Sequence, residues 1–181
     1  MREMRRKDRS MGREFAIKVI DESVYGTLAL VDGGIPYSVP LSIVRIDDRL
    51  YFHSAKAGRK VELLASEPQV ALSFVGKVEV PDLYSAEELE KIANTPALRT
   101  SLIKDVFTTE FDSAMVQGPC HLVTDREEKR RAMEVLCKKY TPDKMKYFDL
   151  AMEIGLDYTL VYCVTMEEVS GKQKKKKREL S

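Results

Sequence analysis

Apolar positions along this chain recur in two periods, and the changes of period mark its elements. Phe15, Ile17, Val19, Ile20 and Val24 fall at helical spacing. From Tyr25 to Val31 (YGTLALV) the pattern becomes that of a strand, and Asp32-Gly33-Gly34 is a hairpin signal. Pro36 to Ile46 reads as a second strand, Asp47-Asp48 as a second turn, and Leu50 to Ser54 as a third strand, so a three-stranded meander is expected. A helix is expected over 59–66 and a strand from Gln69 to Val78, with Pro68 at its entrance. Ser85 followed by Glu87 and Glu88 reads as a helix start, with helix over 85–105 broken at Pro96. Ala114 to Val123 returns to strand, with a bulge or bend at Gly118-Pro119. Asp125 caps a helical run to Tyr140, a short helix follows over about 143–152, and Tyr158 to Met166 closes the pattern as a strand rich in β-branched and aromatic residues.

Six strands, mostly meandering, with helices between them describe a mainly β, α+β domain. Hairpin turns and β-branched runs favour a closed or split barrel over a doubly wound sheet. The 181 residues are enough for one domain with a real core, and 44% hydrophobic content is that of a globular chain.

Charge changes the picture locally. The net charge of +1 gives no global field toward nucleic acid. Six of the 30 basic residues, however, lie between Lys172 and Arg178, leaving a mildly acidic body. The reading is therefore one domain over 1–170 and a disordered, solvated basic tail over 171–181, since like charges at that density repel and nothing there can be buried. The charged start MREMRRKDR has no apolar run behind it and is not expected to be a signal peptide. No segment approaches the ~18 apolar residues of a membrane span. Cys120, Cys137 and Cys163 are widely spaced, form no zinc pattern and read as reduced, buried thiols of a cytoplasmic protein.

The stretch with most chemistry is Leu50 to Leu64 (LYFHSAKAGRKVELL). A strand feeds a small-residue turn at Gly58 and then a helix, and the junction carries Lys56, Arg59 and Lys60. Backbone N–H groups and the helix dipole favour an anion there, so three added cations would make a phosphate cradle. The alternative is the solvated face of an amphipathic helix. The stretch is neither a P-loop, because Val61 follows Lys60, nor a dinucleotide fingerprint, because Gly58 stands alone. His53 and His121 read as structural, and Tyr37 and Tyr51 as packing residues.

Four stretches together carry a resemblance: Tyr25-Gly26-Thr27-Leu28-Ala29, Tyr37 to Ser42 (YSVPLS), Phe52 to Lys60 (FHSAKAGRK) and Phe107 to Ser113 (FTTEFDS). Their order resembles the pyridoxamine-phosphate-oxidase-like FMN-binding split barrels, and within them the nitroimidazole-reductase (nitroimidazole-resistance) branch. The resemblance implies a six-stranded FMN-binding split barrel and a homodimer with the flavin at the subunit interface. It places Val39, Pro40, Leu41 and Ser42 along the isoalloxazine. His53, Ser54 and Ala55 would border the ring and ribityl chain, His53 as the candidate catalytic residue. Lys56, Arg59 and Lys60 would hold the phosphate, with Gly58 letting the backbone close in. Thr108, Thr109 and Ser113 would approach from the other side. Two departures stand out. The 80–105 segment is longer than the resemblance implies, and Asp112 stands where a basic residue is expected.

Three functions follow. The first is an FMN-dependent oxidoreductase passing electrons from a reductant, with a nicotinamide cofactor as candidate donor, to a small acceptor such as a nitroaromatic or quinone. The second is a non-catalytic flavin module, a sensor or store. The third, from another class, is a small barrel binding RNA through its basic tail. No membrane partner is expected. Nucleic acid is disfavoured because no exposed aromatics interleave the basic positions.

Overall fold

A computed structural model describes residues 4–66 and 68–176 of the chain. All strand pairings in it are antiparallel. In chain order the strands are β1 (Ser10–Met11), β2 (Gly26–Asp32), β3 (Ile35–Leu41), β4 (Val44–Ile46), β5 (Arg49–Ser54), β6 (Gln69–Glu79), β7 (Glu110–Leu122), β8 (Leu160–Thr165) and β9 (Glu168–Lys174). The helices are α1 (Arg13–Glu22), α2 (Arg59–Leu64), α3 (Ala86–Asn94), α4 (Arg126–Tyr140) and α5 (Phe148–Gly155).

Hydrogen bonding runs in the order β3-β2-β6-β7-β8-β5-β4, with β9 also on β7 and β1 on β9. β7 belongs to both halves. Through Pro119 it pairs with β6, and from Cys120 it pairs with β8. The mixed α+β, mainly antiparallel architecture is the one expected, with flanking helices and the form of a split barrel.

Burial explains the apolar runs. Leu50 and Phe52 of β5 and Tyr162 and Val164 of β8 face a core shared with Leu28, Leu72, Phe74 and Val116. Helix α1 closes this core with Ala16, Val19 and Ile20. The alternate residues Tyr51, Val161 and Cys163 face a second core built with Ala132, Met133 and Leu136 of α4. Both faces of β5 and β8 are thus buried, so their sequences show no period of two.

Several expectations are corrected. The expected strand Pro36–Ile46 is two strands broken at Ser42-Ile43, so the meander is divided: β3 pairs with β2, and β5 with β4 and β8. The break is satisfied from outside the ladder. The Ile43 N–H donates to the Tyr140 hydroxyl at 3.0 Å, and Lys139 donates to the Ile43 carbonyl at 3.3 Å. Gly118-Pro119 is not a bulge in the ladder but the crossing between the two halves; a Cβ on Gly118 would sit 1.8 Å from the Thr165 carbonyl oxygen. The register shift lies on β6, between Val75 and Val78. The 85–105 helix is three pieces: α3, a 3-10 turn at Pro96–Leu98 and a π turn at Leu102–Val106. The 143–152 helix is a 3-10 turn at Pro142–Tyr147 followed by α5.

The tail is the largest correction. Gly171 to Lys174 lie in β9, paired with β7 from Gln117↔Glu168 to Phe111↔Lys174, rather than in a disordered end. Backbone ladder bonds and Gly171, buried against Phe15 and Met11, hold a sequence whose composition alone reads as solvated. The remainder of the expected tail, 177–181, lies outside the described residues.

Candidate functional site

The β5–α2 junction is built as its sequence suggested. β5 delivers Ser54 buried and His53 exposed, Ala55 to Gly58 turn in solvent, and α2 begins at Arg59. Gly58 has φ 116°, a conformation that L side chains avoid, which is why glycine stands there. The Val61 N–H closes on the Gly58 carbonyl at 2.8 Å, while those of Arg59 and Lys60 precede the helical ladder, as at any helix start.

The three cations at the junction lie on aromatic rings. Lys56 Nζ is 5.5 Å from the Tyr158 ring centroid, the Arg59 guanidinium 4.7 Å from that of Tyr37, and Lys60 Nζ 5.7 Å from that of Phe52. Arg59 also donates to Asp32 at 2.8 Å, tying α2 to the β2–β3 hairpin. Burial lowers the Lys60 pKa. Although His53 is exposed at its outer edge, partial desolvation of its ring and then the Lys60 charge lower its pKa from the ordinary 6.5, so at neutral pH it is uncharged and offers one donor and one acceptor.

The β3 wall borders this junction. Val39 and Leu41 are half-buried against the main core, with Tyr37 and with Leu63 of α2. Pro40 points outward, and Ser42 is half-buried at the break before β4.

Thr108, Thr109 and Ser113 are elsewhere. Three steps of the sheet separate β3 from β7, roughly 14 Å at the usual strand spacing. Thr108 accepts from the Lys174 ammonium, Thr109 is exposed, and the Ser113 hydroxyl lies 3.5 Å from the Lys172 carbonyl. One chain does not close the two groups of residues on each other. Asp112 is satisfied across the β7–β9 ladder, accepting from Gln173 at 2.7 Å. His121 is half-buried in β7, opposite Cys163, and all three cysteines are reduced. Among the described residues no group of three or more His, Cys, Asp or Glu side chains could hold a metal ion, and no helix is long and apolar enough to cross a membrane.

A family model for pyridoxamine 5'-phosphate oxidase matches residues 13–173. The chain belongs to that family. This is the family that the four stretches resembled. Solved structures agree in fold with this pyridoxamine 5'-phosphate oxidase relative. A candidate 5-nitroimidazole antibiotic resistance protein from Bacteroides thetaiotaomicron is 23% identical, with 91% of this chain and 86% of that one covered at a TM-score of 0.67. The flavocytochrome Anf3 from Azotobacter vinelandii is 19% identical, with 96% and 73% covered at 0.71. An FAD-binding protein from Mesorhizobium loti is 19% identical, with 92% and 98% covered at 0.59. A search of curated proteins returns no match.

Within this family member, four site neighbours were not legible in the sequence. Asp32, Tyr37 and Tyr158 contact the cations from 27, 22 and 102 residues away in sequence, and Lys174 reaches Thr108 from β9. Only the fold brings them there.

Proposed function

We propose that this chain is an FMN-dependent oxidoreductase of the cytoplasm, working as a homodimer. It would pass electrons from a reductant, a nicotinamide cofactor being the candidate, to a small acceptor such as a nitroaromatic. The observation that carries the reading is the gathering of Lys56, Arg59 and Lys60 about the Gly58 turn, beside the β3 wall, in a chain of this family.

The donor set suits a terminal phosphate. Cations seated on aromatic faces are held in place without being neutralised. Among the described residues Arg59 is the one of the three in an ion pair, and that exposed pair with Asp32 is worth about 0–1 kcal/mol, little beside a phosphate dianion. FMN, when bound, supplies the two-electron redox chemistry. The chain's own part is to hold the phosphate through Lys56, Arg59 and Lys60 and to offer the Val39–Ser42 strand as an apolar wall. Uncharged His53 would donate or accept one hydrogen bond at the ring or acceptor.

A second subunit fits the outer face of the sheet. Ala29 lies between Ser38 and Ala71, Thr27 lies beside Ser73, and Val31 and Val75 are more than half exposed at the margins. Small side chains leave room on that face, where Ala29, Val31 and Ala71 line a cavity of about 680 Å³, so a second copy can approach closely and bring its Thr108, Thr109 and Ser113 toward the first copy's wall.

The test is a spectrum of the purified protein followed by release of its flavin. Absorbance near 450 nm, typical of flavins, with FMN as the released species supports the reading. Bleaching by a reduced nicotinamide cofactor and reoxidation by a nitroaromatic establish turnover. Flavin without reduction by any donor favours the non-catalytic module. Equal affinity for riboflavin and FMN would defeat the phosphate cradle.

A further inference from the structure

We propose that the two ends of the chain form one cationic face that binds the phosphate backbone of single-stranded nucleic acid. The fold makes this face from segments far apart in sequence. β1 pairs with β9 through Ser10↔Lys172 and Met11↔Gly171. This lays the segment that carries Arg5, Arg6, Lys7 and Arg9 along the end of β9, with Arg6 and Arg9 near enough to Lys174 for their charges to act on it. The family match spans 13–173, so Arg5 to Arg9 and Lys174 to Lys176 lie outside it at opposite termini, and they converge.

The cations are close enough to oppose one another. The Lys174 ammonium is lowered by burial and then by the charges of Arg9, Lys176 and Arg6. Acids do face the patch. Asp8 pairs with Arg6 and Arg9, Asp105 pairs with Lys176, Glu110 accepts from the Lys176 N–H, and Glu79 and Asp112 line a cleft with Lys174 and Lys175. The mutual repulsion at Lys174 persists in their presence. Concentrated like charge destabilises a fold unless an anion offsets it.

Geometry and composition favour nucleic acid over a bilayer. Lys172 and Lys174 lie on one face of β9, about 6.7 Å apart at the rise of a strand, their ammoniums over the Phe111 ring and at the Thr108 hydroxyl. That interval is of the order of the spacing between successive phosphates on one nucleic-acid strand. The face is a strand and a 3-10 turn, Lys7–Arg9, with no amphipathic helix to lie in a lipid interface. The exposed Ile103 and Phe107 adjoin Thr108, which Lys174 reaches, so the cationic face borders the surface given above to the second subunit. The rest of the chain is net acidic, so the overall charge of +1 conceals the patch.

The test uses the full chain and a fluorescent oligouridylate of about 20 nucleotides, longer than the ~16 that one small barrel engages. Binding should weaken with salt, with a log–log slope of about −3, as for four or five neutralised phosphates on a single strand. Arg5→Gln/Arg6→Gln/Arg9→Gln and Lys172→Gln/Lys174→Gln/Lys175→Gln should each weaken binding at least about tenfold and flatten the slope by about 2. Melting temperature and circular dichroism report whether each variant folds. Should one not fold, protection of Lys172, Lys174 and Lys175 from acetylation by the oligonucleotide in the native chain replaces it. No binding at low salt, a slope near zero, or a loss from one triple variant alone overturns the single face. Sedimentation with phosphatidylserine vesicles in the absence of oligonucleotide binding would reassign it to membranes and overturn the proposal.

Discussion

Two residues show how much a local environment decides. Partial desolvation and Lys60 together hold His53 below its ordinary 6.5. Between 6.5 and that lowered value the unfolded chain binds a proton that the folded chain refuses, so stability is lost as pH falls through this window. By NMR, His53 should titrate below 6.5. Lys60→Met should raise the midpoint toward 6.5 by removing the second cause, and added FMN should raise it by placing an anion nearby. A midpoint unmoved by both would mean that Lys60 does not act on His53. Gly118 is decided by space. Its missing Cβ would fall 1.8 Å from the Thr165 oxygen, and a backbone atom cannot swing aside. Gly118→Ala should cost about 3 kcal/mol or prevent folding, read by urea unfolding; a loss under about 1 kcal/mol would show that the β7 crossing relaxes.

At the scale of elements, α2 and the break between β3 and β4 carry the proposed site. Charge-assisted contacts to phosphate are worth roughly 1.5–3 kcal/mol each. Arg59→Ala/Lys60→Ala should therefore weaken FMN about a hundredfold or more with little change in melting temperature. Asp32→Asn releases Arg59 from its 2.8 Å partner and should leave FMN binding equal or tighter. Titration of flavin fluorescence measures both, and weaker binding in Asp32→Asn would make that ion pair part of the site. Helix α4 holds the break. Tyr140 accepts from the Ile43 N–H and lies 2.8 Å from the Val24 carbonyl, pinning the end of the Val39–Ser42 wall and the entry to β2 together. Tyr140→Phe keeps the ring and removes the hydroxyl, so a loss of about 1–2 kcal/mol is expected on unfolding.

For the whole molecule, the face carrying Thr27, Ala29, Ala71 and Ser73 is the surface on which the proposed dimer depends. Sedimentation should give about twice the 20.6 kDa of one chain. Ala29→Glu/Ala71→Glu places charge where two sheets would meet, and it should yield monomers that lose flavin together with the interface. Monomers that keep their flavin would show that the site is complete in one chain.

The reach of sequence reasoning follows from the range of the forces involved. Helix α4 with its Asp125 cap, the Asp32-Gly33-Gly34 hairpin and the β5–Gly58–α2 junction were legible because backbone preference, capping and turn chemistry act within a few residues. The family was legible for the same reason: its stretches are local patterns in a set order. Partners were not. That β3 and β4 belong to different parts of the sheet depends on β2 pairing with β6 and β5 with β8, across 42 to 116 residues, and the Gly118 crossing depends on Thr165; no local period encodes these contacts. Lys172 to Lys174 make the contrast sharpest. Composition alone reads them as a solvated end, because charge density disfavours order in an isolated segment. In the fold, β7 and β1 offer ladders of backbone donors and acceptors on either side, and hydrogen bonding that ignores side-chain identity draws the lysines into the sheet.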